Sequence, residues 1–379
     1  MTKSGTNQVR LSDECDWQVI VIGAGVAGAL AALHCVRAGF ATLLVEKQKF
    51  PRHKVCGCCL NAKAWRALES AGVASELSKS SNPIQTTRFH IRGSQATVRV
   101  SGMQAVSRSE LDSQLVSAFV GAGGSFKDGV TATVLPNTNR AQVRLQGWND
   151  ANRTECGSGD LSADVVLACD GLGHPSLRMF AEVESHVSKS SRVGVGAVIP
   201  RAASDVSYPT NELQMAVAKH GYVGTVQVEG HHLSVAAALD ASVLKTGSSP
   251  VDALREIYVQ NDLSPPANLD AAAVKGTLPL TRATLPVAID RVFLLGDATG
   301  YVEPFTGEGM AWAMASAELI VPLVHEVIRN GWNPELPSKW EKLLRRDVRQ
   351  RQRICRVLSR SLRYPWLLSP MLNAFRLFP

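Results

Sequence analysis

The stretch Gly23-Ala24-Gly25-Val26-Ala27-Gly28 decides the fold of this chain. It follows a short apolar run, residues 17–22, which is typical of a buried parallel strand. It opens an Ala- and Leu-rich segment, residues 26–38, and the Gly39 that follows predicts the end of a helix. A second apolar run, residues 41–45, comes next. Strand, helix and strand in this order predict a βαβ unit.

The glycines of this stretch suit the phosphates of a dinucleotide. Gly23 permits a tight turn, Gly25 lets a pyrophosphate approach the backbone, and Gly28 lets the helix pack closely on the strand. The helix N-terminus offers free N–H groups to the phosphates. Glu46 stands 18 residues after Gly28, where a carboxylate can accept both hydroxyls of a ribose. NAD and FAD both use this unit, so the motif alone does not choose between them.

Two distant segments favour FAD over NAD. Residues 165–171 and 292–298 each read as a buried strand that ends in an Asp beside a Gly. An Asp in that position, such as Asp297, can hold a hydroxyl of a ribityl chain, and a helix start at residues 307–309 can face the flavin pyrimidine. The glycine-rich dinucleotide fingerprint of residues 23–28 occurs once in the sequence, so NAD(P)H has no binding domain of its own. NAD(P)H is therefore expected as a transient reductant, unless another protein supplies the electrons.

Composition and charge narrow the class of protein. The chain has 379 residues, 45% of them hydrophobic, and a net charge of +7. Residues 339–379 hold 11 Lys/Arg and two acids, whereas the rest holds 29 Lys/Arg and 31 Asp/Glu. A slightly acidic body does not indicate a nucleic-acid partner. We expect a cytoplasmic protein with reduced thiols. The first 16 residues are polar, eight Cys are too few for a disulfide scaffold, and no stretch of 18 consecutive residues is apolar.

The order of predicted elements indicates an α/β fold built from a discontinuous domain. Parallel-type strands occur at both ends of the chain, with a hairpin at residues 86–100 and further alternating strands between them. A long helix is predicted over residues 307–328. The prediction is an FAD-binding Rossmann-like domain with an inserted, mostly antiparallel substrate-binding sheet and a C-terminal helical tail. Their bounds are 1–85, 105–185 and 280–335 for the first, 86–104 and 186–279 for the second, and 336–379 for the tail.

The three nucleotide motifs together resemble the superfamily of FAD-dependent monooxygenases and halogenases with the hydroxylase-like fold, over about residues 17–330. Within it, residues 50–60 (FPRHKVCGCCL) resemble the PRxKxCGxxL motif of the geranylgeranyl reductase family. Residues 296–309 (GDATGYVEPFTGEG) are similar to that family's GDAxGxxxPxxGEG. Aromatic-ring hydroxylases usually carry His where this chain has Gly300. The resemblance therefore implies the geranylgeranyl reductase-like branch.

The motifs and the resemblance together imply a set of site residues. The predicted cofactor-binding residues are Gly23, Ala24, Gly25, Ala27, Gly28, Glu46, Lys47, Cys56, Gly57, Cys59, Arg108, Val130, Asp297, Pro304, Gly307, Gly309 and Met310. The candidate catalytic residues are Cys56, Tyr301 and Tyr222. No metal site is expected, since Cys58 and Cys59 are adjacent and no second ligand pair follows.

The predicted function is that of an FAD-dependent oxidoreductase acting on a hydrophobic small molecule. The resemblance favours reduction of carbon–carbon double bonds in an isoprenoid or quinone-like lipid. One alternative is an NAD(P)H-dependent flavin monooxygenase that hydroxylates an aromatic or polyketide-like substrate. Another is an FAD-carrying electron-transfer protein. The choice stays open because residues 221–226 replace the aromatic YxWxFP motif of prenyl reductases, and the tryptophan pair of flavin halogenases is missing there too.

The basic tail has apolar residues at roughly helical spacing, with arginines filling most of the other positions. A basic amphipathic helix of this kind fits peripheral contact with the inner face of a membrane. The alternative, which is the commoner outcome in soluble proteins, is a helix that packs on the body and leaves its arginines in water. The oligomeric state is not predicted.

Overall fold

The computed structural model describes residues 16–136, 139–147, 160–245, 249–303, 305 and 307–364. The strands of these residues are β1 Asp16–Ile22, β2 Thr42–Glu46, β3 Cys59–Leu60, β4 Asn82–Ile91, β5 Ser94–Ala105, β6 Ser125–Asp128, β7 Thr131–Leu135, β8 Ala141–Gln146, β9 Asp160–Ala168, β10 Glu184–Val187, β11 Arg192–Pro200, β12 Glu212–Ala218, β13 Gly221–Val228, β14 His232–Asp240, β15 Lys275–Pro279, β16 Arg282–Leu285, β17 Ala288–Ile289, β18 Val292–Leu294 and β19 Gly300–Tyr301. The helices are α1 Val26–Arg37, α2 Ala62–Ser70, α3 Ala74–Leu77, α4 Arg108–Gly121, α5 Ala241–Lys245, α6 Pro250–Val259, α7 Gly309–Asn330, α8 Leu336–Leu344 and α9 Gln350–Ser361.

The first sheet is the parallel layer that the glycine-rich turn predicts. Its strand order is β17-β18-β9-β1-β2-β6, and β1 pairs in parallel with both β2 and β9. The central strands are buried on both faces because α1, α4 and α7 cover one side, while β7 and β8 lie over the other. The βαβ unit and the return of the chain to this sheet through β18 are confirmed.

The second sheet is mostly antiparallel and contains the inserted strands. Its order is β15-β11-β14-β13-β12-β4-β5-β3, in which only the junction between β12 and β4 is parallel. The predicted hairpin is longer than expected, since β4 begins at Asn82 and β5 runs to Ala105. A third sheet of three strands, β10-β16-β19, was not predicted. Its strands have two to four residues each, too short for an alternating pattern to identify.

Helix α7 is a core helix of the first domain. It begins at Gly309, two residues after the predicted start, and it packs against α1. Its length and apolar composition would suffice to cross a membrane, but 56% of its most apolar window is buried inside the protein. Helix α7 is therefore a core helix, and it lies between the first sheet and the C-terminal segment.

The C-terminal segment is helical and attached to the body. Helix α8 buries Trp340, whose indole N–H donates to the carbonyl oxygen of Leu294 at 3.1 Å. A π-helical turn, Arg345–Arg349, connects α8 to α9. The predicted helical tail is confirmed as far as residue 364, and one of its faces packs on the body; residues 365–379 of the predicted tail lie outside the described residues.

Candidate active site

The turn after β1 can be built only with glycine. Gly23 has a φ of +99°, and a methyl group there would lie 2.6 Å from the carbonyl oxygen of Cys169. A methyl group at Gly28 would lie 1.9 Å from the carbonyl oxygen of Gly23. The two glycines therefore let α1 start directly against the ends of β1 and β9, where its free N–H groups can bind an anion.

Glu46 is fixed beside this turn at the end of β2. Its Oε2 accepts a hydrogen bond from the backbone N–H of Ala24 at 3.1 Å. Its Oε1 accepts one from the backbone N–H of Gln48, also at 3.1 Å, and Arg52 Nη2 lies 3.2 Å from Oε2. The carboxylate is thus held in one orientation at the place where the sequence predicts a ribose.

Three cationic side chains converge on Gly25 at the start of α1. A methyl group at Gly25 would lie 3.4 Å from Arg108 Nη2, 3.7 Å from Arg52 Nη2 and 4.0 Å from Lys54 Nζ. The fully buried Asp112 holds both guanidiniums, at 2.8 Å from Arg108 Nη2 and 3.1 Å from Arg52 Nη1. Cations around a bare helix N-terminus make a strong site for a pyrophosphate, so these residues fit that part of a dinucleotide.

Part of this cluster escaped the sequence prediction. Arg52 and Lys54 belong to the PRxKxCGxxL-like stretch but are not among the predicted site residues, and neither is Asp112. A signal existed, because Asp112 follows Arg108 by four residues, which is the spacing of an ion pair on one face of a helix. Burial of that pair could not be seen from the sequence.

The cysteine loop, residues 56–59, contains one thiol of unusual acidity. Hydrogen bonding from Cys58, whose backbone N–H lies 3.4 Å from Cys56 Sγ, and the positive charges of nearby Arg108 and Lys54 act on the Cys56 thiol. Together they lower the pKa of Cys56 to about 6 against the opposing effect of burial. Burial raises the pKa of Cys59 to about 12. Cys56 is therefore the most acidic thiol of this loop. Within the described ranges no group of His, Cys, Asp or Glu suits a metal ion.

A cavity of about 340 Å³ runs from the glycine turn, past the cysteine loop, to the second sheet. The predicted residues that line it are Gly25, Ala27, Cys56, Gly57, Cys59, Arg108, Tyr222, Asp297, Tyr301, Gly307, Gly309 and Met310. Its far end is lined mainly by apolar side chains that were not predicted, namely Phe89, Val98, Val100, Met103, Leu213, Met215, Leu280 and Phe305. The polar end and the apolar end therefore share one continuous space.

The other predicted site residues lie outside this lining. Gly23, Ala24, Gly28 and Glu46 shape the turn from behind. Lys47 is exposed. Val130 is buried in the core under β7 and donates its N–H to the carbonyl oxygen of Glu46 at 2.9 Å. Pro304 falls outside the described residues.

Of the two candidate tyrosines, Tyr222 is buried and Tyr301 is half-buried. Tyr301 packs against the start of α7, where a methyl group on Gly309 would lie 2.9 Å from its hydroxyl oxygen. Tyr222 lies edge-on to Phe305, with ring centroids 5.0 Å apart. Burial raises the pKa of both phenols, so both stay protonated at neutral pH. Glu303, two residues after Tyr301, does not line the cavity and accepts a hydrogen bond from Arg192 Nη1 at 2.9 Å.

The turn at Asp170 and Gly171, which follows β9, lies beside the cavity. Asp170 Oδ2 accepts a hydrogen bond from the backbone N–H of Ser176 at 2.6 Å. His174, within the same loop, has a left-handed conformation with φ of +37°. Gly171 lines the cavity. The loop is therefore held beside the cavity by a hydrogen bond of its own.

Comparison with known proteins identifies the family. Residues 16–338 match the family described as FAD binding domain, and the chain belongs to it. It is 23% identical to a menaquinone reductase of Mycolicibacterium smegmatis over 92% of this chain and 85% of that protein. It is 25% identical to a kynurenine 3-monooxygenase of Salinispora arenicola over 77% and 69% of the two chains.

The solved structures confirm the fold. A geranylgeranyl bacteriochlorophyll reductase-like protein of Thermoplasma acidophilum superposes with a TM-score of 0.77 at 17% identity, over 94% of this chain and 91% of that one. The α/β fold and the assignment as an FAD-dependent oxidoreductase are thereby confirmed, and the predicted resemblance to a geranylgeranyl reductase-like protein holds for the fold.

Proposed function

We propose that this chain reduces a carbon–carbon double bond in an isoprenoid or quinone-like lipid. The observation that carries the proposal is the apolar end of the cavity, which adjoins the cysteine loop and Asp297 without a partition. An apolar pocket with few polar groups is suited to a hydrophobic substrate. The likeness to a menaquinone reductase supports the same substrate class.

The residues that would hold FAD follow from the polar end of the cavity. Arg52 and Arg108 would bind the pyrophosphate at the N-terminus of α1, and Glu46 would bind the adenosine ribose. Asp297 would hold the ribityl chain from the turn after β18. When bound and reduced, FAD supplies a hydride.

Reduction of a double bond adds a hydride to one carbon and a proton to the other, so the chain must supply a proton donor. Tyr301 lines the cavity beside Asp297 and keeps its proton at neutral pH because burial raises its pKa. Cys56 is poorly suited to this role, because hydrogen bonding from Cys58 and the nearby positive charges lower its pKa and favour the thiolate, which has no proton to give. We therefore assign the proton donor to Tyr301, with Tyr222 deeper in the apolar end as the next candidate.

An anaerobic turnover experiment tests the proposal. The yellow protein is mixed without oxygen with NADPH or NADH, and then with menaquinone or a geranylgeranyl lipid. We expect bleaching of the flavin, then its reoxidation on addition of lipid, with mass spectrometry showing a product that has gained two hydrogens. Bleaching without any change in the lipid would contradict the proposal and favour an electron-transfer protein.

The same sample tests hydroxylation as the second function. Its support is the likeness to a kynurenine 3-monooxygenase and the missing aromatic motif at residues 221–226. Oxygen is admitted to the reduced protein with and without an aromatic substrate. Uptake of oxygen coupled to a product heavier by one oxygen atom would establish this function in place of the reductase.

A further inference from the structure

The last described helix, α9, turns a mixed basic and apolar face to solvent. The side chains of Ile354 and Val357 are 71% and 65% exposed, and their spacing of three residues places them on the same side of the helix. Exposed arginines flank them on that side. The α9 outer face consists of Arg353, Ile354, Arg356, Val357 and Arg360.

Contacts on the opposite side fix the orientation of this helix. Cys355 is buried against the body. Ser359 Oγ donates a hydrogen bond to Glu303 Oε1 at 3.1 Å, and Arg363 Nη1 lies 2.8 Å from Asp240 Oδ1. Since α9 is anchored on this side, it cannot rotate to bury Ile354 and Val357. Their exposure to water is an unfavourable feature that a partner surface would relieve.

The charge around the α9 outer face points to an anionic partner. Residues 345–364 hold eight arginines and one acid, Asp347. Arg345 and Arg346 are paired with neighbouring acids, but within the described chain the three arginines of the outer face have no acidic partner. A second copy of the chain would bring equal positive charge to the contact. A nucleic acid would leave the aliphatic pair without a partner.

We propose that the α9 outer face docks on an anionic lipid surface. Ile354 and Val357 would enter the boundary between headgroups and acyl chains, while Arg353, Arg356 and Arg360 bind lipid phosphates. Interleaved basic and aliphatic side chains on one helix face match that boundary, where charge and hydrocarbon meet. The proposal does not depend on which reaction the enzyme catalyses.

Sedimentation of the full-length FAD-loaded protein with vesicles tests the docking surface. Vesicles of phosphatidylcholine alone are compared with vesicles that contain one part in four phosphatidylglycerol. We expect binding to the anionic vesicles only, weakened by salt. The variant R353Q/R356Q/R360Q should bind about a hundredfold more weakly, because each basic residue near an anionic leaflet strengthens binding about fivefold. The variant I354S/V357S should lose about tenfold through lost apolar contact.

Matched variants show whether binding depends on the α9 outer face itself or only on the protein's overall charge and exposed apolar area. R66Q/K189Q/K219Q removes three exposed charges elsewhere, and V187S/V206S removes two exposed valines elsewhere. Both should bind like the parent protein. Binding that survives the α9 changes, or that occurs equally on neutral vesicles, would overturn the proposal. The proposal would also be overturned if the protein formed an oligomer without lipid and the variant I354S/V357S dissociated it. Tighter binding to duplex DNA than to anionic vesicles would overturn it too.

Discussion

The two ends of the cavity are assembled in different ways. The polar end is built from short stretches of chain, the turn at residues 23–28 and the segment from Glu46 to Cys59, with Arg108 added from α4. The apolar end takes most of its side chains from β4, β5 and β12 of the second sheet, and adds Leu280 and Phe305 from loops. The polar end must fit an invariant dinucleotide, whereas the apolar end can change one side chain at a time. Substitutions should therefore affect the protein differently at each end.

The largest effect is expected at Gly28. G28A places a methyl group 1.9 Å from the carbonyl oxygen of Gly23, so α1 cannot keep its place against β1. We expect loss of FAD binding together with loss of folded protein, measured as the ratio of flavin to protein absorbance and as thermal unfolding.

A glycine without such a contact provides the control. Gly121 ends α4 and has no atom within 4 Å of an added methyl group. G121A should leave the flavin content unchanged and raise the free energy of unfolding by up to about 1 kcal/mol, since alanine favours helix. Equal damage from both variants would show that the close approach at Gly28 is not what the turn requires.

The next effect is expected at Asp112, the anion that holds the cationic cluster. D112N leaves Arg52 and Arg108 buried without their shared carboxylate, and removal of one partner from a buried pair costs about 3–5 kcal/mol. Urea unfolding measures this loss. The control E76Q breaks the exposed pair with Lys79 and should cost less than about 1 kcal/mol. A small loss for D112N would mean that the guanidiniums are held by other contacts.

These first two sites show why the polar end was largely predictable. The spacing of the glycines, and the carboxylate 18 residues after the last of them, indicate a local conformation that is determined by the local sequence. Asp112 was missed because its value comes from meeting Arg52, which lies sixty residues earlier and reaches it only through the fold. The third sheet was missed for the same reason, since its short strands are defined by pairing and not by their own pattern.

The third effect concerns the proposed proton donor. Y301F keeps the ring that packs on Gly309 and removes only the hydroxyl, so FAD binding should not change. Turnover of the lipid should fall about a hundredfold, the usual contribution of a positioned acid. Y222F serves as the comparison. A larger fall for Y222F than for Y301F would move the donor to the apolar end.

A fourth effect concerns Cys56, at the border of the two ends. Its pKa of about 6 means that the thiolate fraction, and with it the rate of iodoacetamide labelling, rises as the pH climbs through about 6. At pH 7 the thiolate fraction should be roughly thirtyfold that of an ordinary thiol. Mass spectrometry of the FAD-free protein follows the label, and C56S provides the blank. A midpoint near that of an ordinary thiol would show that Cys58 does not donate to it.

The smallest effect is expected at the apolar end, whose side chains could not be foreseen from the sequence. An alternating strand shows which residues share a face but not which strand will lie beside it, so Val98 and Leu213 could not be joined into one wall. The same freedom makes single changes there mild. Such changes should alter the fit of the substrate without disturbing the dinucleotide site.

V98T tests this mildness, because threonine keeps the branched shape and adds one hydroxyl. Val98 lines the cavity and is 44% exposed, so stability should hold while the KM for a lipid substrate rises about tenfold. V187T is the matched control, since Val187 is 46% exposed on β10 and does not line the cavity. An unchanged KM with V98T would place the lipid elsewhere. A lowered flavin content would show that the two ends are energetically coupled. In that case a hydroxyl group added at the apolar end would weaken FAD binding at the polar end.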